Sequence, residues 1–79
     1  MYGVIYLTKI QDFDPELESL EMFSTFDEAQ EKAKNNIEKF IEEYGGETDG
    51  FPTKENPFAT AYNDDVMGYV YIAETNLPS

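Results

Sequence analysis

Residues 25–46 read TFDEAQEKAKNNIEKFIEEYGG. Phe26, Ala29, Ala33, Ile37, Phe40, Ile41 and Tyr44 recur at three- and four-residue steps, the spacing that gathers side chains into one buried stripe of an α-helix. Thr25 can accept a hydrogen bond at the helix start, and Glu28 three residues later completes a capping-box pattern. Asp27 and Glu28 lie in the first turn, where the helix dipole favours anions. Gly45 and Gly46 supply the left-handed conformations that end a helix. The spacing predicts a helix over about residues 26–44.

On both sides of the helix the period shortens to two. Residues 2–10, YGVIYLTKI, are rich in β-branched and aromatic side chains and predict a strand. Both faces of that strand are largely apolar, which suits a central position. Gln11 to Glu18 is acid-rich and reads as an exposed loop. Residues 19–23, SLEMF, alternate and predict a second strand in a hairpin with the first, although Leu17 and Leu20 also fit a helical turn. Residues 45–57, GGETDGFPTKENP, read as a long loop, with Phe51 its anchor on the core or else an exposed contact. Residues 58–62 and 67–74 predict two more strands, joined by a turn at Asn63, Asp64 and Asp65. Asn76 to Ser79 are expected to fray. The expected fold is one α+β domain over residues 1–79: an antiparallel sheet of three or four strands, ordered ββαββ or βαββ, with one amphipathic helix on one face.

The charge inventory excludes several chemistries. The chain has 79 residues, 17 of them Asp or Glu against 5 Lys and no Arg, for a net charge of -12. His, Cys and Trp are absent. Thiolate or imidazole catalysis, a Cys/His zinc site and a disulfide framework are therefore ruled out, and direct nucleic-acid binding is opposed by charge repulsion. An aromatic content of 15% argues against an acidic disordered tail. The apolar run from Val4 to Leu7 is too short for a signal or membrane segment, so a cytoplasmic protein, in the host cytoplasm if phage-encoded, is expected.

Three constellations stand out. On a helical wheel Asp27, Glu31, Glu38 and Glu42 share one sector, over about 22 Å of axis at 1.5 Å per residue. An ordinary solvated face, braced by Glu28–Lys32 and Lys39–Glu43 pairs, is the plainer interpretation. Acidic loops at residues 12–18 and at Asp64 and Asp65 can extend the stripe. The D-F-D-P-E run from Asp12 resembles the start of a calcium loop, but its sixth and twelfth positions hold Leu17 and Phe23 where Gly and Glu are required. No metal site and no cofactor are expected. If Ile5, Leu7, Val70 and Ile72 face the helix, then Tyr2, Val4, Tyr6, Tyr69 and Tyr71 lie on the opposite side of the sheet, as interface residues or as cross-strand pairs. No nucleophile motif or phosphate loop is present, and no enzymatic activity is expected.

A net charge of -12 exceeds what solubility requires of a small domain, and self-repulsion destabilises the folded state. A basic partner or a halophilic source would account for it. In size and charge, though in no motif, the chain resembles the inhibitors of phages and mobile elements, including anti-restriction and anti-CRISPR proteins that mimic nucleic acid, and small acidic immunity proteins and antitoxins. The leading expectation is a non-catalytic inhibitor that blocks the basic, nucleic-acid-binding surface of a partner protein. Its binding residues are Asp27, Glu31, Glu38, Glu42, Asp64 and Asp65, with tyrosines such as Tyr6, Tyr69 and Tyr71 as anchors. The alternative is a structural or accessory module that forms a homodimer through the Tyr-rich sheet face.

Overall fold

The computed structural model describes residues 1–75; the expected fraying of Asn76 to Ser79 lies outside them. In chain order the elements are β1 (Tyr2–Ile10), β2 (Glu16–Phe23), α1 (Phe26–Tyr44), β3 (Glu47–Thr48), β4 (Phe58–Tyr62) and β5 (Val66–Glu74). The strands form one antiparallel sheet in the order β2-β1-β5-β4-β3. The α+β class is as expected, but the sheet has five strands rather than three or four. The additional strand is β3, a two-residue pairing with β4 inside the segment read as loop. Nothing so short carries a periodic signal.

The chain leaves the sheet at one edge, after β2, and re-enters it at the other, at β3. The helix between them therefore crosses the sheet. Its bounds, Phe26–Tyr44, match the spacing of its apolar stripe. Thr25 Oγ1 accepts from the Glu28 amide at 3.2 Å and donates to the Glu28 carboxylate at 3.0 Å. At the other end the Gly45 amide donates to the Ile41 carbonyl at 2.8 Å. Gly46 has φ +106°, and any Cβ there would overlap the Tyr62 carbonyl. Glycine is required at that position because the chain passes against β4 as it turns into the sheet.

The core lies between helix and sheet. Ala29, Ala33, Ile37 and Phe40 meet Val4, Tyr6, Ala59, Ala61, Val70 and Ile72. Small residues on β4 and β5 let the helix come close, and the fully buried Phe40 ring sits directly over Gly68. A Cβ on Gly68 would lie 2.7 Å from that ring.

Register corrects the expected division of faces. Directly paired residues on neighbouring antiparallel strands point to the same side of a sheet. Val70 pairs with Tyr6 and Ile72 with Val4, so once Val70 and Ile72 face the helix, Tyr6 and Val4 must too. Ile5 and Leu7 turn outward with their partners Tyr71 and Tyr69. Tyr6 is thus a core residue, only 5% exposed, and not a surface anchor. Tyr2 also packs toward the core, edge-on to Phe26.

Two further expectations change. β2 begins at Glu16, not residue 19, and carries a bulge: Tyr6 pairs with Ser19 but Leu7 with Leu17, leaving Glu18 as the extra residue. The long loop is anchored by Pro52, which is fully buried and whose carbonyl accepts from Gln30 Nε2 at 2.9 Å. Phe51 instead lies partly exposed beneath the Lys34 ammonium, 5.6 Å from the ring centre.

The contact of Phe40 with Gly68 yields a test of the core. Phe40→Ala should cost about 3–5 kcal/mol. Gly68→Val, which overfills the same contact, should cost about 1–3 kcal/mol. Urea unfolding monitored by circular dichroism measures both.

Candidate partner-binding surfaces

The helix and the sheet present two chemically opposite exteriors. On the helix, Asp27, Glu31, Glu38 and Glu42 are all exposed and occupy the sector farthest from the buried stripe. Apart from Asp27, which the dipole favours in the first turn, local helix energetics do not favour this arrangement. Asp27 and Glu31, and again Glu38 and Glu42, are like charges four residues apart, each pair destabilising by about 0.2–0.5 kcal/mol. The last turn contains no basic residue, so Glu42 and Glu43 sit at the negative end of the helix dipole, where a cation is preferred.

The lysines are engaged elsewhere. Lys32 pairs with Glu21 of β2 at 3.2 Å, replacing the expected Glu28–Lys32 pair along the helix. Lys54 lies over Phe26 and Lys34 over Phe51, and Lys9 donates to the Gln11 carbonyl at 2.9 Å. Lys39 borders a small recess between β2 and the helix, with Tyr6, Glu18, Asn36, Glu43 and Tyr44.

Asn63 draws more acid to the helix C-terminus. Its side-chain oxygen accepts from the amides of Asp65 and Val66, both at 2.7 Å, closing the β4–β5 turn. Its amide nitrogen donates to the Tyr44 carbonyl at 3.1 Å, fixing that turn against the end of the helix. The Gln11 amide donates to the Asp65 carbonyl at 3.0 Å and brings the β1–β2 loop alongside. Asp64 and Asp65 thereby join the loop of Asp12 and Asp14 at one end of the molecule. Phe13, between those two aspartates, is 71% exposed. The sequence reading missed it as a candidate anchor, although an aromatic between two acids in a predicted loop was the available signal. Among the described residues no three carboxylates converge closely enough to hold a metal ion.

Acid at this end also acts on two tyrosines. The Tyr6 hydroxyl is pushed up to about 12, mainly by burial and further by Glu18, Tyr44 and Glu43. Tyr44 is held above the usual tyrosine value by desolvation and then by Glu43, Glu18 and Glu16.

The other exterior is the sheet face that no helix covers. Across it Leu20, Ile5, Tyr71 and Phe58 form one row of paired residues, and Leu17, Leu7, Tyr69 and Thr60 the next. Met22 lies over Gly3, while Met67 and Tyr62 complete the far side. Tyr69 and Tyr71 are on this open face as expected, each about 6 Å from the Phe58 ring. The bulge at Glu18 matters here. It reverses the alternation of β2, so that Leu17 joins Leu20 and Met22 on the open face, while Glu21 turns to the helix side.

Two measurements follow. Glu42→Lys removes a like-charge pair and places a cation at the helix C-terminus, and should raise stability by about 0.5–1 kcal/mol in thermal or urea unfolding. For Tyr6, the folded-state value lies above the unfolded value of 10.0, so folding favours the protonated hydroxyl. Its contribution is complete below pH 10 and is lost as pH rises toward 12. Tyrosinate absorbance should show Tyr6 among the last tyrosines to ionise, and Tyr6→Phe should flatten the alkaline fall in stability. No family model matches this chain, and no curated protein or solved structure is significantly similar to it.

Proposed function

We propose that this protein is a non-catalytic binding protein whose acidic helix face and adjoining loops cover a basic surface on a partner protein, in the manner of a nucleic-acid mimic. The observation that carries this reading is the concentration of carboxylates where they destabilise the helix, in the like-charge pair Glu38–Glu42 and in a last turn that holds Glu42 and Glu43 and no basic residue. Residues that violate local stability rules are expected at functional surfaces.

Asp27, Glu31, Glu38 and Glu42 supply a field that steers a basic partner into place. Rim charges add little affinity by themselves, so a buried aromatic anchor is needed as well. Phe13 is the exposed aromatic held among the acidic loops. The partner class that fits is a nucleic-acid-binding effector, whose own binding site is a basic groove, and a phage or mobile element is the natural source of such an inhibitor.

The test immobilises the chain, captures partners at low ionic strength, and challenges the captured protein with salt and with duplex DNA. Both should release it. Glu31→Lys, Glu38→Lys and Glu42→Lys combined should slow association by on the order of tenfold, and Phe13→Ala should speed dissociation. A partner bound equally well at low and high salt contradicts the proposal.

A further inference from the structure

The open face of the sheet has an unusual composition for this molecule. Although 17 of 79 residues are Asp or Glu, the outward positions of β1, β2, β4 and β5 hold no carboxylate; the charges on this face are at its rim, Lys9 on β1, Glu47 of β3 beside Tyr62, and Asp49, which accepts from the Thr60 hydroxyl at 3.1 Å. The acids of β2 point to the helix side or sit in the bulge, while its apolar residues point to solvent, with Leu17 at 55% and Leu20 at 57% exposure. A solitary one-helix, five-stranded domain would carry the reverse pattern on an edge strand.

The exposed fractions of Leu17, Leu20, Met22, Phe58, Tyr62 and Tyr71, on side chains that present about 150–250 Å² when open, leave roughly 500–600 Å² of surface. The half-covered Ile5, Leu7 and Tyr69 bring the face near the ~800 Å² that each partner contributes to a standard interface. A patch of this size lies at the upper end of the ~300–600 Å² found for the largest patch on a typical monomer, a range in which such patches are often interaction surfaces.

We infer that this face packs against the same face of a second copy of the chain, forming a two-sheet sandwich with the helices outside. Three features select a second copy as the occupant. The centre of the face is uncharged, with Lys9, Glu47 and Asp49 confined to its rim, so its own duplicate matches it, whereas a basic protein would bury Lys or Arg at that centre without a counter-charge. Edge-to-edge pairing is opposed, because β2 carries Glu16, Glu18 and Glu21 and the opposite edge, β3, has two residues. Face-to-face packing also separates the acid. With sheets about 10 Å apart and a helix 10–12 Å across on each outer side, the two carboxylate stripes lie more than about 30 Å apart. That is several times the ~8 Å screening length at physiological salt. The dimer displays two acidic helix faces on opposite sides and is independent of whichever partner they bind.

Sedimentation equilibrium of the full chain tests this at low and high salt. The expected mass is twice the 9.1 kDa chain, with association unchanged or strengthened by salt, opposite to the dependence of charge-driven partner binding. Leu20→Lys and Tyr71→Lys alter exposed positions on separate strands, and each should halve the mass while the circular dichroism of the folded chain persists. A monomer at every concentration overturns the proposal, as do folded variants that remain dimeric. Cosedimentation of a monomeric chain with uncharged phosphatidylcholine vesicles would also overturn it, assigning the face to a lipid surface.

Discussion

One helix can cover only one face of a five-stranded sheet, and most of this structure follows from which face that is. The choice is made where the helix comes closest, at the Phe40 ring resting on Gly68. No other residue type fits beneath that ring without displacement, so β5 must turn Gly68, Val70 and Ile72 toward the helix. Pairing carries the decision across the sheet: Tyr6 and Val4 follow Val70 and Ile72 inward, and Ala59 and Ala61 follow from the other side. Everything of opposite parity is left outside, which is why three tyrosines, two methionines, several leucines and Phe58 share one open surface.

Charge is distributed about the same division. The helix bears its carboxylates on the side away from the sheet, and the loops that meet its C-terminus add Asp12, Asp14, Asp64 and Asp65. The uncovered sheet face bears charge only at its rim, at Lys9, Glu47 and Asp49. A chain with a net charge of -12 could scatter its acid evenly and reduce self-repulsion. Here the acid is concentrated at a measurable cost in helix stability and withheld from the one broad apolar surface. The two exteriors are chemically suited to different tasks, the acidic one to a basic partner and the apolar one to another copy of the chain.

The sequence reading reached the helix with its ends, because capping residues, terminal glycines and a 3.6-residue period are local signals. Three of the long strands were legible for the same reason, and so were the acidic sector and the outward placement of Tyr69 and Tyr71. What was missed depends on pairing partners. Tyr6 could be assigned to a face only from its register with Val70. The bulge at Glu18 reverses the alternation of β2 and hides Leu17, Leu20 and Met22 as one apolar row. β3 exists only because β4 lies beside it, and Pro52 anchors the loop in place of Phe51 because Gln30 holds its carbonyl. None of these is encoded by the residues within a single window.

Isotope-filtered nuclear Overhauser measurements on a mixture of labelled and unlabelled chains examine the division of faces and its consequence together. Within one chain the Tyr6 ring should contact Phe40 and Ile37. Between chains, contacts should appear from Leu20, Met22 and Ile5 to the rings of Tyr71 and Phe58, with none from the acidic helix. Intermolecular contacts at Glu31 or Glu38, or a Tyr6 ring in contact with Leu20, would contradict the account.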